Sequence, residues 1–95
     1  MAVAVVMSFE GATLEQYDQV LEKMGLEHEG AGPTGALFHW VTSTDDGILI
    51  TDVWQDQETF ERFAKDQIGP YSAEVGIEDA PKTSIYEIHN YLTAG

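Results

Sequence analysis

The 95-residue chain contains no cysteine. Disulfides, thiolate metal ligands and a cysteine nucleophile are therefore excluded, and the composition fits a reducing interior. Positive charge is nearly as scarce: four Lys and Arg stand against seventeen Asp and Glu, a net charge of −13. So negative a surface repels phosphate backbones and anionic headgroups, and neither nucleic acid nor a membrane surface is an expected partner. Two readings of the acidity remain, a solvated surface or recruitment of a basic partner or cationic ligand. Long apolar runs are also missing. Met1 to Phe9 is apolar but too short to span a bilayer. It lacks a basic n-region and leads into an acidic helix, so no signal peptide is expected and the expected location is cytoplasmic. No serine stands in a nucleophile-elbow context, which leaves a hydrolytic triad without support. Three scattered histidines form no metal motif. Glu27, His28 and Glu29 are adjacent, and adjacent residues rarely converge on one ion, so no metal site is expected.

What is present suits one small domain, residues 1–95. A chain of this size buries only about 60–65% of the surface its unfolded form exposes, so association would be a natural source of further buried area. Ala2 to Phe9, with three valines, reads as a strand buried on both faces. A helix follows from Thr13, which has the capping-box spacing with Gln16. Leu14, Tyr17, Val20 or Leu21, and Met24 recur on its buried face, and Gly25 is the expected left-handed cap. Glu27 to Gly35 reads as a loop without the lysine or the spacing of a phosphate cradle. Two apolar runs, ALFHWVTS and ILITDVW, flank an Asp45-Asp46-Gly47 turn signal and predict a β-hairpin. Asp56 then caps a second amphipathic helix from about Gln57 to Ile68, which Gly69-Pro70 should end. After an irregular segment, Lys82 to Leu92 reads as the last strand.

The order β-α-β-β-α-β predicts an α+β, ferredoxin-like fold: a four-stranded antiparallel sheet in the order 4-1-3-2, with both helices on one face. The hairpin is apolar on both sides: Phe38, Trp40, Leu49 and Val53 on one, Leu37, Val41, Ile50 and Trp54 on the other. Two helices cover one face only, so a second copy of the sheet, in a two-fold homodimer, is the simplest cover for the other.

A tight turn at Asp45-Asp46 sets Ser43 opposite Ile48, Val41 opposite Ile50, His39 opposite Asp52 and Leu37 opposite Trp54. A carboxylate beside an imidazole fixes its tautomer, the arrangement a general base needs. His39 and Asp52 are thus the candidate catalytic pair, with a buried structural pair or an interface contact as the competing reading. Tyr17, Trp40 and Trp54 are candidate walls of a small-molecule pocket. In the last strand His89 shares a face with Ile85, Glu87 and Tyr91, and Asn90 lies on the other; either face would line a cavity or meet a partner, and both residues are carried as candidate ligand contacts.

The stretch DVWQDQETFERF, a strand ending in Trp followed by an acidic, phenylalanine-spaced helix, resembles the dimeric α+β barrel superfamily, and most of all its small antibiotic-biosynthesis-monooxygenase-type proteins. The later IGP and the closing EIHNYL add to the likeness. The resemblance implies a homodimer with a small-molecule cavity in each subunit between sheet and helices. The superfamily includes cofactor-free oxygenases of aromatic polyketides, haem-degrading enzymes, isomerases and proteins without demonstrated catalysis, so fold alone does not select a reaction. Its oxygenases surround the substrate with Asn, Trp, Tyr or Arg. The matching types here are Asn90, Trp40, Trp54, Tyr17 and Tyr86, whereas the sole arginine, Arg62, falls on a solvated helix face. The haem-degrading branch has an Asn in the first strand and a His on the second helix. Ser8 stands near the first position and no His lies between Asp56 and Ile68, which disfavours that activity. The expectation is an enzyme without a cofactor, carrying out oxygenation or proton transfer on an aromatic or polyketide-like substrate. The alternative is a non-catalytic ligand-binding or stress-related homodimer.

Overall fold

The computed structural model describes residues 1–93. Its strands β1 (Val3–Glu10), β2 (Ala36–Ser43), β3 (Gly47–Trp54) and β4 (Lys82–Glu87) form one antiparallel sheet in the order β2-β3-β1-β4. This is the ferredoxin-like arrangement expected from the sequence. β1 is central, pairing with β3 from Val3↔Trp54 to Glu10↔Gly47 and with β4 from Val3↔Glu87 to Ser8↔Lys82. Val3, Val5, Met7 and Phe9 point to the helix side and are buried with Ile48, Ile50 and Trp54 of β3. β1 is not buried on both faces, as its valines suggested. Ala4 and Val6 are only half-covered and Ser8 is exposed, because none of the described residues forms a layer over the other side of the sheet.

Helix α1 (Leu14–Met24) starts at the predicted Thr13 capping box and stops at Gly25, φ 76°, whose amide and that of Leu26 bond back to the last turn. In α2 (Gln57–Phe63), the Asp56 side chain accepts from the Thr59 amide and Phe60 anchors the helix in the core. The helix does not end at Gly69-Pro70. It passes through a π-helical turn, Ala64–Ile68, into α3 (Gly69–Glu74). A proline inside a regular α-helix loses one hydrogen bond and its ring strikes the carbonyl four residues back. Here the Gly69 amide reaches back five residues to the Ala64 carbonyl, and Pro70 falls in the first turn of the next α segment, where its missing N–H is tolerated.

Two further expectations are corrected. Leu37 does not face Trp54: a bulge between Ala36 and Phe38 puts Ala36 there, while His39↔Asp52, Val41↔Ile50 and Ser43↔Ile48 keep the expected register. β4 stops at Glu87 rather than Leu92, because its neighbour in the sheet, β1, begins at Val3. A single bond from the Ile88 amide to the Ala2 carbonyl follows, and Tyr91 and Leu92 are exposed.

Gly47 is required by proximity. A Cβ there would come within 2.0 Å of the Phe9 carbonyl oxygen, so β1 and the hairpin close up only over a residue without a side chain.

Candidate functional site

The apolar face of α1 does not pack flush on the sheet. It stands off from β2 and β3, and α1 packs instead beside α3, where Gln16 Nε2 donates to the Val75 carbonyl at 3.2 Å. The space left between α1, the loop after it, the sheet and the second helix is a cavity of about 700 Å³. Met7, Val20, Met24, Ile50, Phe63 and Ile68 give it mostly apolar walls. A volume of that order suits a small organic molecule.

One chain of polar groups runs along the wall. Asp52 lies on the buried face of β3, 6% exposed. Its Oδ2 accepts from Trp54 Nε1 at 3.0 Å, two residues along the same strand face, and its Oδ1 lies 2.5 Å from His39 Nδ1 across the β2–β3 pair. The indole N–H can only donate and the carboxylate can only accept, so the proton of the second bond sits on His39 Nδ1. In the neutral imidazole Nε2 is then an acceptor, and it meets the Tyr17 hydroxyl from α1 at 2.5 Å. The two rings lie within 9° of parallel with centroids 5.9 Å apart, meeting nearly edge to edge through that bond. Trp54 is fixed in turn by Phe60 and Phe63. Among the described residues, no buried side-chain nitrogen or oxygen is left without a partner.

The electrostatics follow from this arrangement. Burial, then the negative charges of Asp52 and Asp18, push the Tyr17 phenol up from 10.0 to about 12. Tyr17 is thereby held as a hydrogen-bond donor across the neutral range. A second imidazole–carboxylate contact, His28 Nε2 to Asp18 Oδ1 at 2.9 Å, stands in the open at the cavity rim.

His39, Asp52, Tyr17 and Trp54 therefore converge. Trp40 also borders the cavity, but strand alternation turns its ring to the opposite face from His39. His89 and Asn90 lie beyond the end of β4, exposed and away from the cavity. The bond between Tyr17 and His39 joins residues 22 positions apart on a helix and a strand, and depends on how α1 docks. The Trp54–Asp52 bond was readable in the sequence, since residues two apart on a strand share a face. Among the described residues, no group of three His, Asp or Glu side chains could hold a metal ion, and no helix is long and apolar enough to cross a membrane.

The fold recurs in solved structures. SnoaB, a cofactor-independent oxygenase from Streptomyces nogalater, superposes with a TM-score of 0.59 at 16% identity, over 98% of this chain and 97% of that one. A Deinococcus radiodurans protein assigned as an antibiotic biosynthesis monooxygenase gives 0.58 at 17% identity, over 100% and 99%. The ActVA-Orf6 monooxygenase of Streptomyces coelicolor, in complex with nanaomycin D, gives 0.58 at 17% identity, over 99% and 92%. No family model matches the chain, and no curated protein sequence does. The chain thus has the fold of the antibiotic-biosynthesis-monooxygenase-type proteins along nearly its whole length.

Proposed function

We propose that the protein is a homodimeric small-molecule enzyme that removes a proton from an aromatic or polyketide-like substrate, His39 being the base, Asp52 its orienting partner and Tyr17 the hydroxyl between base and substrate. The observation that carries this reading is the hydrogen-bonded series Tyr17–His39–Asp52–Trp54 along the cavity wall. Tyr17 covers the free nitrogen of His39. A substrate proton accepted at the Tyr17 oxygen, as the phenolic proton passes to Nε2, leaves Tyr17 neutral and His39 as an imidazolium facing the Asp52 carboxylate. The substrate anion is then balanced by the imidazolium. Returning the proton to another substrate atom completes an isomerisation or ring closure; an electron passed from the anion to dioxygen begins an oxygenation. SnoaB, a cofactor-independent oxygenase, supports the second course by likeness of fold.

Homodimerisation is part of the same reading. Phe38, Trp40 and Tyr86 are 62%, 43% and 60% exposed on the sheet face without helices, more aromatic surface than a small monomer usually leaves open.

The catalytic assignment is tested with ligand recovered from the native protein by mass spectrometry. The wild type should convert it, or exchange its acidic hydrogen in deuterated water. His39→Ala and Asp52→Asn, checked for folding by circular dichroism, should slow that step at least about a hundredfold. Normal turnover by both folded variants rules the assignment out. One observation favours the second reading, a ligand-binding homodimer without catalysis: every polar atom of the series is satisfied internally, as in a structural network. That reading requires the recovered ligand to bind and to come back chemically unchanged.

A further inference from the structure

The cavity has a charge character that the proton-transfer reading does not itself require. Asp18, Glu27, Glu29 and Asp52 border it, and no lysine or arginine does. The chain has only four basic side chains. Lys23 is drawn to Glu74 at 3.6 Å and Arg62 to Glu58 at 3.0 Å, while Lys65 and Lys82 are exposed elsewhere. A ligand carboxylate, sulfate or phosphate entering this space would pass the exposed carboxylates of Asp18, Glu27 and Glu29 and exchange water for apolar walls and the buried Asp52, with no fixed cation to receive it. The two imidazoles offer no relief. His39 is engaged on both nitrogens, by Tyr17 and Asp52, and His28 already faces Asp18. A cationic ligand gains little in the interior either, since both oxygens of Asp52 are occupied by His39 and Trp54.

Resting on the reading of the cavity as a small-molecule site, we propose that it selects its ligand by charge: it takes an uncharged ring compound and rejects the anionic counterpart of the same shape. The substrate is then a free, neutral molecule, carrying no carboxylate and no phosphate-bearing carrier at the moment it binds. Its acidic hydrogen is lost only inside, where the imidazolium of His39 balances the new anion. Any reaction step that supplies this substrate must release it as a neutral species, for example by decarboxylation of an acid precursor, with loss of carbon dioxide.

The test uses naphthamide and naphthoate, which share size and shape and differ by one negative charge. Calorimetric titration of the full chain near neutral pH and at low salt should show naphthamide binding at least about tenfold more tightly, a difference of about 1.4 kcal/mol. The gap should narrow as salt screens the carboxylates at the rim. It should narrow again in the combined variant Asp18→Asn, Glu27→Gln, Glu29→Gln, which leaves His39, Asp52 and Tyr17 intact. Naphthoate binding as well as naphthamide, or a gap indifferent to both salt and the variant, overturns charge selection. Binding of neither probe removes the cavity reading and the proposal together. Failure of the catalytic reading alone looks different: the charge preference persists while His39→Ala turns substrate over normally.

Discussion

At the scale of single residues the structure turns on Asp52, a carboxylate buried by a strand and satisfied by two donors. Through His39 that network extends to Tyr17, and its effect there can be measured. The Tyr17 phenol is raised from 10.0 to about 12, so the folded state holds this proton where the unfolded chain has already lost it. Between about pH 10 and pH 12 the folded state therefore binds more protons, and stability falls as pH rises. The contribution is intact below pH 10 and gone above the folded value. Denaturant titrations at pH 9 and pH 11 should show the wild type losing stability more steeply than Tyr17→Phe. The same variant should abolish a late phenolate step near pH 12 in the ultraviolet titration. An identical alkaline slope in both proteins would mean that the hydroxyl is not in this environment.

Among the secondary-structure elements, the glycine at the start of β3 shows how the fold closes. The turn signal Asp45-Asp46-Gly47 suggests a residue chosen for backbone freedom, yet the tight constraint at Gly47 is the Phe9 carbonyl lying against its Cα. Gly47→Ala must push β1 from the hairpin, and should cost more than about 2 kcal/mol, or roughly 8 °C or more in Tm for a domain of this size. A change of under 2 °C would show that the strands can separate freely at that point. What the sequence made legible here followed from local rules. Thr13, Gly25 and Asp56 marked helix ends through their own hydrogen bonds or backbone geometry, and the hairpin turn set His39 opposite Asp52. What stayed hidden came from neighbours or from irregularity. The bulge beside Leu37 inserts a residue into an otherwise regular alternation. The π turn before Pro70 lets a helix run through what reads as its stop signal. NYL holds the strand former Tyr91, but among the described residues no strand continues beyond Val3 for it to pair with. The Tyr17–His39 bond belongs to the same group, since it depends on the distance at which α1 stands from the sheet.

For the whole molecule, surface composition governs the expectations. If the open sheet face is a subunit interface, Phe38→Glu combined with Tyr86→Glu should convert a dimer into a folded monomer. Sedimentation velocity at micromolar concentration would read this directly, and a wild type that sediments as a monomer defeats the expectation. The net charge of −13 on so small a body makes self-repulsion a standing cost to compactness. Salt up to about 0.3 M, where the Debye length falls below about 8 Å, should therefore raise Tm. A Tm that is flat or falling with sodium chloride would indicate that the acidic groups are too dispersed to oppose folding.

The arrangement around Trp54 has a spectroscopic consequence. The chain has two tryptophans in opposite surroundings: Trp54 is 1% exposed with its indole N–H on Asp52, whereas Trp40 is 43% exposed. Trp54 should therefore emit at the blue edge of the fluorescence spectrum and Trp40 at the red edge. Because the Trp54 indole shares a carboxylate with His39, a proton arriving on that imidazole alters the field across the buried fluorophore. A Trp40→Phe protein would isolate the blue emission and give an unlabelled, time-resolved optical record of charge moving through the Tyr17–His39–Asp52 series.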